Sequence, residues 1–381
     1  MRRNPLLPLL ALLALLVPAF GPAAVLPEDR ADILYHRYSG DDVVVQGPSV
    51  LVRKAVTDSI SVAANYYTDF TSSASVDVVT TASPYEERRV QKSLSADYLR
   101  GKAIYSLGYS NSKEIDYESD TAFVGVSQDL FGDLTTVSLG FSRGWDTVGK
   151  RGEPDFQQPI DRRNFRIGVT QVLTRNMLLA LNFETITEQG FLRSAYRSIR
   201  FEDPDLGYVR APERYPSTRT ANAASARLKY YLPWRAALEG QYRFYRDTWG
   251  VGAHTAGIEL TQPVWRRWTL TGGYRYYTQG RADFYSDLFP RADSQNFLAR
   301  DKEFSTYSNQ TVSLGASYAF PTSMLPWLKK GTVNLNYARM LFDYQDFRDL
   351  RGFPPGSVRP GTEPIYELDA EIIQFFVSFW F

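Results

Sequence analysis

The chain of 381 residues contains no cysteine. Disulfide staples and thiolate metal sites are therefore excluded. Histidine occurs only twice, as His36 and His254. Beyond the first 24 residues no stretch of 18 apolar residues occurs, so no membrane-spanning helix is expected. A basic excess is also missing, with 43 Lys and Arg against 42 Asp and Glu. That balance lacks the electrostatic footprint of a nucleic-acid binder. No phosphate-binding loop, dinucleotide fingerprint or haem-attachment motif is present. No unit of 20 to 50 residues repeats, which argues against a blade-type propeller.

Aromatic residues, by contrast, are abundant: 25 Tyr, 23 Phe and 7 Trp make up 14% of the chain. Tyr and Trp suit a membrane–water interface, because one end of the ring is dry and the other wet. The N-terminus reads as a secretory leader over residues 1–24. Arg2 and Arg3 precede an apolar run from Leu6 to Phe20, and Gly21-Pro22-Ala23 supplies small residues for cleavage. Residues 25–381 then form one expected domain. An exported chain without cysteine fits a Gram-negative envelope.

Period-two alternation of apolar and polar residues recurs along that domain. Val137, Leu139 and Phe141 alternate with Ser138, Gly140 and Ser142, and Val312, Leu314, Ala316 and Tyr318 with Ser313, Gly315 and Ser317. The pattern predicts sixteen strands, near 33–39, 42–55, 58–68, 87–99, 102–112, 119–130, 134–145, 162–173, 177–189, 218–231, 235–247, 251–263, 267–279, 305–319, 331–343 and 365–381. Short turns such as Arg100-Gly101 and Thr174-Arg175-Asn176 alternate with long polar loops near 69–86, 146–161, 190–217, 280–304 and 344–364. This asymmetry belongs to an all-β, antiparallel transmembrane β-barrel with short periplasmic turns and long extracellular loops. Closure is required because lipid offers no partner to a free sheet edge.

The last strand supports this reading. Ile373, Phe375, Val377, Phe379 and Phe381 share one face and end the chain on Phe. Lipid is the natural neighbour of such a face. A strand ending in Phe resembles the C-terminal signal read by the barrel-insertion machinery, with Phe375, Val377, Phe379 and Phe381 as its carriers. Tyr366, Leu368, Ala370 and Ile372 fall on the other phase, so a bulge is expected near Ile372-Ile373. Gly47-Pro48-Ser49 is expected to interrupt or bend its strand. The first strand could instead be a plug. Residues 320–330 could hold a short interfacial helix with Trp327 and Leu328 in lipid.

With the apolar face in lipid, Arg166, Glu184, Arg227, Lys229, Glu239, Arg243, Glu259 and Arg275 face the lumen. Mixed charge there reads equally as a conduit whose field selects solutes and as a network that stiffens the wall. The segment from Asp69 to Tyr85 carries few charges, and it is expected to pack against the wall or constrict the lumen through Asp69, Ser72, Ser75, Asp77 and Tyr85. His254 reads as part of a tight extracellular turn. No nucleophile motif accompanies it, so no enzyme, metal or cofactor is expected. The acidic runs Asp116, Glu118, Asp120 and Glu202, Asp203, Asp205 read as solvated turn acids rather than a calcium loop. Arg88, Arg89 and Lys92 are candidates for lipopolysaccharide phosphates.

Several segments resemble one family of uncharacterised proteobacterial outer-membrane barrels. They are Gly47-Pro48-Ser49-Val50-Leu51-Val52-Arg53-Lys54, Asp69-Phe70-Thr71-Ser72-Ser73-Ala74-Ser75-Val76-Asp77, Ser83-Pro84-Tyr85, Tyr215-Pro216 with Arg219-Thr220, and Tyr242-Arg243-Phe244-Tyr245-Arg246-Asp247-Thr248-Trp249. The resemblance implies an outer-membrane barrel and brings no activity with it. The expected role is passage of a solute or partner. The alternatives are a scaffold docking envelope lipoproteins or redox partners, or a barrel-embedded lipid hydrolase.

Overall fold

The computed structural model describes residues 24–41, 43–71, 87–203, 207–321, 326–353 and 358–381. The strands are β1 (Arg30–Gly40), β2 (Val43–Thr57), β3 (Ile60–Thr71), β4 (Glu87–Arg100), β5 (Ala103–Lys113), β6 (Tyr117–Leu130), β7 (Thr135–Val148), β8 (Gln158–Thr174), β9 (Met177–Gly190), β10 (Ser198–Asp203), β11 (Gly207–Pro212), β12 (Thr218–Tyr231), β13 (Ala237–Asp247), β14 (Gly252–Val264), β15 (Trp268–Gln279), β16 (Tyr307–Phe320), β17 (Lys330–Arg348) and β18 (Ile365–Trp380). Sixteen of them close into an antiparallel barrel in chain order. β9 pairs directly with β12, because β10 and β11 form a separate hairpin. β1 closes the ring between β2 and β18, so it is a wall strand and not a plug. Every wall strand thus has a partner on both sides, which satisfies the backbone in a medium without water.

Alternation decides which side chains meet lipid. In β7 and β8 Val137 stands opposite Val169, Leu139 opposite Ile167 and Phe141 opposite Phe165. The two phenyl rings lie 4.8 Å apart. Phe165, Ile167, Leu181, Phe183, Ile258, Leu260, Leu314 and Leu335 are all exposed. Exposed apolar surface of this extent is tolerated only against hydrocarbon. Rings mark both edges of the band. Tyr242, Phe244, Tyr274 and Tyr276 lie toward the long loops, and Trp234, Trp265 and Trp268 lie at the short turns.

One expectation about strand irregularity is corrected and a second holds on one side only. β18 keeps one continuous register against β1 and against β17 through Ile372 and Ile373, so no bulge occurs there. Tyr366, Leu368 and Ala370 point inward and are buried, while Ile373 and Phe375 point outward and are exposed. The apolar face changes sides although the strand does not. Gly47-Pro48 leaves β2 in continuous register against β1 but interrupts its ladder to β3, which stops at Gln46 and resumes at Ser49. Gly47 is a point of close approach, where a Cβ would come within 1.9 Å of the Thr68 carbonyl oxygen. The helix expected within 320–330 falls partly outside the described residues. The part described, 326–329, is not helical, and Leu328 is buried rather than in lipid.

Candidate lumen site and extracellular lid

At the level of the apolar band, β8, β9 and β12 to β15 carry Arg166, Glu184, Arg227, Lys229, Glu239, Arg243, Glu259 and Arg275 on the face opposite the exposed apolar one. Arg166 stands opposite Glu184 across β8 and β9, and Lys229 opposite Glu239 across β12 and β13. The expected lumen residues form two clusters. Glu184 accepts a hydrogen bond from Arg243 at 2.8 Å and lies 3.6 Å from Arg166. Glu239 lies 3.1 Å from Arg227 and 3.0 Å from Lys229. Each carboxylate is therefore shared by two cations. Glu259 and Arg275 face the same lumen on β14 and β15, with Glu259 standing opposite Glu239; among the described residues neither enters an ion pair with the clusters. Two recesses open in this arc. One, about 340 Å³, is lined by Ser138, Arg166, Asn182, Glu184, Ser225 and Arg243. The other, about 400 Å³, is lined by Tyr38, Arg219, Arg243, Tyr245, Tyr277 and Lys302 among others.

Above the lumen the long loops form a lid, which the sequence patterning does not show. Ile199, Phe201, Phe289 and Leu298 make one buried cluster, joining the β10–β11 hairpin to the β15–β16 loop. Trp249, Val251, Ala282, Phe284, Tyr285 and Ala299 make a second, against which Tyr245 of the wall packs. Tyr344, Phe347, Tyr366 and Leu368 make a third at the top of β17 and β18.

Charge ties these pieces together. Arg200, only 1% exposed, donates to the Asp287 carbonyl oxygen at 2.8 Å and to both Glu363 oxygens, one at 3.1 Å, and pairs with the Asp287 carboxylate. Arg300 adds a 3.0 Å bond to the Asp287 carboxylate and a 2.6 Å bond to the Arg348 carbonyl. Burial is the largest single influence and raises the Glu363 carboxyl, but the hydrogen bond and charge of Arg200 together with backbone N–H bonds outweigh it and hold Glu363 below its ordinary value. The lid reaches the opposite rim as well. Tyr196 donates to Asp116 in the β5–β6 turn, and Arg351 binds Asp41 in the β1–β2 turn at 2.5 Å.

The segments that carried the family resemblance meet in two nodes. In the first, Asp247 accepts from the backbone N–H of Trp249 and of Val251, both at 3.0 Å. It also accepts from Arg219 at 2.6 Å and from the Tyr245 hydroxyl at 2.9 Å. The Arg219 guanidinium lies 4.8 Å from the Trp249 ring centroid, and the Tyr215 ring lies 5.7 Å from Trp249. Tyr215, Arg219 and Tyr245 to Trp249 thus anchor the lid to the wall. In the second node, beside Gly47, Asp69 lies 2.6 Å from His36 Nε2, and the Tyr67 hydroxyl lies 3.1 Å from the same nitrogen. The Tyr67 ring stacks on His36 at 5.0 Å.

Other expected residues end in different places. Asp69 is a buried wall residue of β3. Ser72, Ser75, Asp77 and Tyr85, the remaining candidates for a constriction, lie outside the described residues. His254 is not in the turn but on β14, on the lipid side, where its Nδ1 lies 2.6 Å from the Tyr242 hydroxyl and its ring 5.2 Å from Phe244. It belongs to the aromatic edge of the band. Among the described residues no serine hydroxyl bonds either histidine. Arg88 covers the Phe70 ring on the outer face. Arg89 takes the other phase and bonds Ser112 and Gln91, both at 2.9 Å, so it points inward. Of the acidic runs, Asp120 accepts from Tyr109 and, at 2.9 Å, from Asn111. Glu87, Glu114 and Asp116 crowd their carboxylate oxygens within 4.8 Å at the mouth. Burial first, then Glu87, pushes the Glu114 carboxyl up to about 6, against the opposing pull of Arg89. Phe375, Val377, Phe379 and Phe381 form the outward ladder expected of them, with Phe379 6.1 Å from Phe320 and Lys54 over Phe381 at 5.1 Å.

The barrel is similar to that of a bacterial polysaccharide outer membrane secretin. The TM-score is 0.51 at 9% identity, over 93% of this chain and 99% of that one. It is also similar to CdiB from Acinetobacter baumannii, with a TM-score of 0.50 at 8% identity, over 92% of this chain and 60% of that one. At such identity the likeness speaks for the fold alone. No curated protein matches the sequence. Sixteen closed strands, an apolar outer face and this likeness make the chain a β-barrel of the bacterial outer membrane. A family model described as "Protein of unknown function (DUF3570)" matches residues 72–166 and 161–329, most of the barrel, and the chain belongs to that family.

Proposed function

We propose that the barrel passes a solute or a partner segment across the outer membrane, with the extracellular lid as its gate. The observation that carries this reading is the exposure of the lumen cations. Arg166, Arg227 and Lys229 are 66%, 57% and 52% exposed. A network that merely filled the barrel would bury its heads. A sixteen-strand ring is wide enough to hold water between them. The experiment is conductance of the purified protein in a planar bilayer. Discrete steps, enlarged when the lid is loosened by Arg200→Met, are expected. A silent bilayer with both proteins would refute passage.

Silence would favour a second reading, a scaffold for envelope lipoproteins or redox partners. The tightly locked lid is the observation that speaks for it. In either case the terminal ladder of Phe375, Val377, Phe379 and Phe381 is read as the signal taken by the insertion machinery. Lipopolysaccharide is the expected neighbour of the outer rim, where Arg88 lies.

A further inference from the structure

We propose that the lumen arc from β8 to β15 binds anionic solutes, and that Arg243 is the point of transfer between its two recesses. The inference rests on the passage reading and adds a substrate class to it. Three observations lead to it.

The first is the layering of charge. The cations of the two clusters are 41% to 66% exposed, whereas Glu184 and Glu239 are 26% and 16% exposed. What the lumen water meets is the cationic layer, with the carboxylates held beneath it. Because each carboxylate is divided between two cations, each cluster keeps one positive charge in excess. Glu259 offsets Arg275 and leaves that excess standing.

The second is one-sidedness. The flanking wall carries uncharged polar groups at its inward positions, among them Asn309, Thr311 and Ser313 on β16 and Asn334, Asn336 and Gln374 on β17 and β18, and the inward cations across the lumen are matched by acids, Arg53 by Asp97 and Arg89 by Glu114. An uneven ring of this kind sets up a field across the lumen that draws anions to one side.

The third is the shape and donor set of the recesses. In the smaller one, Arg166 and Arg243 stand with Ser138, Asn182 and Ser225, all able to donate, and Glu184 is its single carboxylate. Its floor is opened by Gly168, where a Cβ would sit 2.5 Å from Ser138 Oγ and 2.8 Å from Asn182 Oδ1. The larger recess combines Arg243 and Lys302 with the Tyr38 hydroxyl, beside Arg219 and Tyr245, which Asp247 holds, and Glu303 is the single carboxylate in its lining. Planar guanidinium forks with hydroxyl donors are the chemistry that recognises phosphate, sulfate or carboxylate groups. Arg243 lines both recesses, so an anion leaving one reaches the other without losing its guanidinium partner.

The test uses the full-length mature protein in a planar bilayer across a potassium chloride gradient, with inorganic pyrophosphate as probe. A zero-current potential of the sign for chloride preference is expected, together with a current that pyrophosphate reduces. Arg166→Gln and Arg243→Gln should each weaken that block by about tenfold, the usual scale for one charge-assisted guanidinium contact. Their intact barrels are checked by the faster migration of unboiled protein. A potassium-selective pore indifferent to pyrophosphate would overturn the anion arc and leave passage standing. If the bilayer stays silent, passage fails, and calorimetry of pyrophosphate with the detergent-solubilised protein decides the arc alone. Binding that Arg243→Gln abolishes would uphold it; no binding would overturn it.

Discussion

β17 and β18 exchange their inner and outer chemistry halfway up without changing register. In the lower half the outer face carries Val333, Leu335, Ile373 and Phe375, and the inner face carries Asn334, Asn336 and Gln374. In the upper half the outer face carries Arg339, Asp343, Glu367 and Asp369, with Arg339 bonded to Asp369 at 3.0 Å, and the inner face carries the buried Tyr344, Tyr366 and Leu368. The register is continuous through the crossover and shifts only above it, between Asp343 and Arg348, so the difference lies in the surroundings. Below, lipid is outside and water inside. Above, water is outside and a packed lid is inside. The crossover near Arg339 and Ile373 therefore marks where the strands leave the outer leaflet.

The sharpest way to break this contrast is to unlock the lid while leaving the band alone. Arg200→Met leaves Glu363 buried without its cation, while Asp287 keeps Arg300, and the loss of a buried partner costs about 3–5 kcal/mol. Hydrogen exchange should then rise in β10, β11 and residues 280–300, with exchange in the lower halves of β17 and β18 unchanged. A matched loss of protection in both halves would show that lid and barrel are one cooperative unit.

A smaller effect compares the two halves directly on one face of β17. Leu335→Arg puts a charge in hydrocarbon and should cost about 2–4 kcal/mol in unfolding from lipid vesicles. Asp343→Arg, on the same face but above the membrane, should change stability by less than about 0.5 kcal/mol. Equal costs would place the membrane boundary elsewhere.

Acid and base separate the regions more gently. Glu363 lies below its ordinary value in the folded protein, so the stability it lends the lid is present above its unfolded pKa and fades as the pH falls through the depressed value. Glu114 has the opposite sign. Its folded value of about 6 lies above the 4.5 of the free group, so its contribution is complete below 4.5 and is lost as the pH rises through 6. Thermal unfolding should show Glu114→Gln stabilising the protein at pH 7.5 and leaving it unchanged at pH 4. The smallest effect of the series is expected here, because Arg89, 3.6 Å away, already offsets part of the strain.

All sixteen wall strands were legible from period-two alternation, to within a few residues at their ends. The inward phase of Arg166, Glu184, Arg227, Lys229, Glu239, Arg243, Glu259 and Arg275 follows from the same rule, since a side chain next to a lipid-facing one must point inward. The bulge expected near Ile372-Ile373 failed for an instructive reason. Alternation implies a bulge only if one face stays apolar along the whole strand, and Tyr366 and Leu368 are apolar on the inner face instead. Nothing local tells a tyrosine facing lipid from one facing a lid. His254 lies on β14 rather than in the turn because Thr248 to Val251 already completes the turn, as the strand expected at 251–263 itself implies. The lid went unseen because its partners are remote. Arg200 meets Glu363 across 163 residues, and Tyr196 meets Asp116 across 80.

Composition, alternation and the terminal ladder by themselves determined a closed barrel, its strand order, its lipid face and the charges of its lumen. They could do so because a strand's facing is set by its nearest neighbours along the chain and by the medium outside. Which carboxylate serves which pair of cations, how three loops lock over the mouth, and where the inner face turns apolar were decided only by the tertiary structure. Those features depend on contacts between distant segments, and no local period records them.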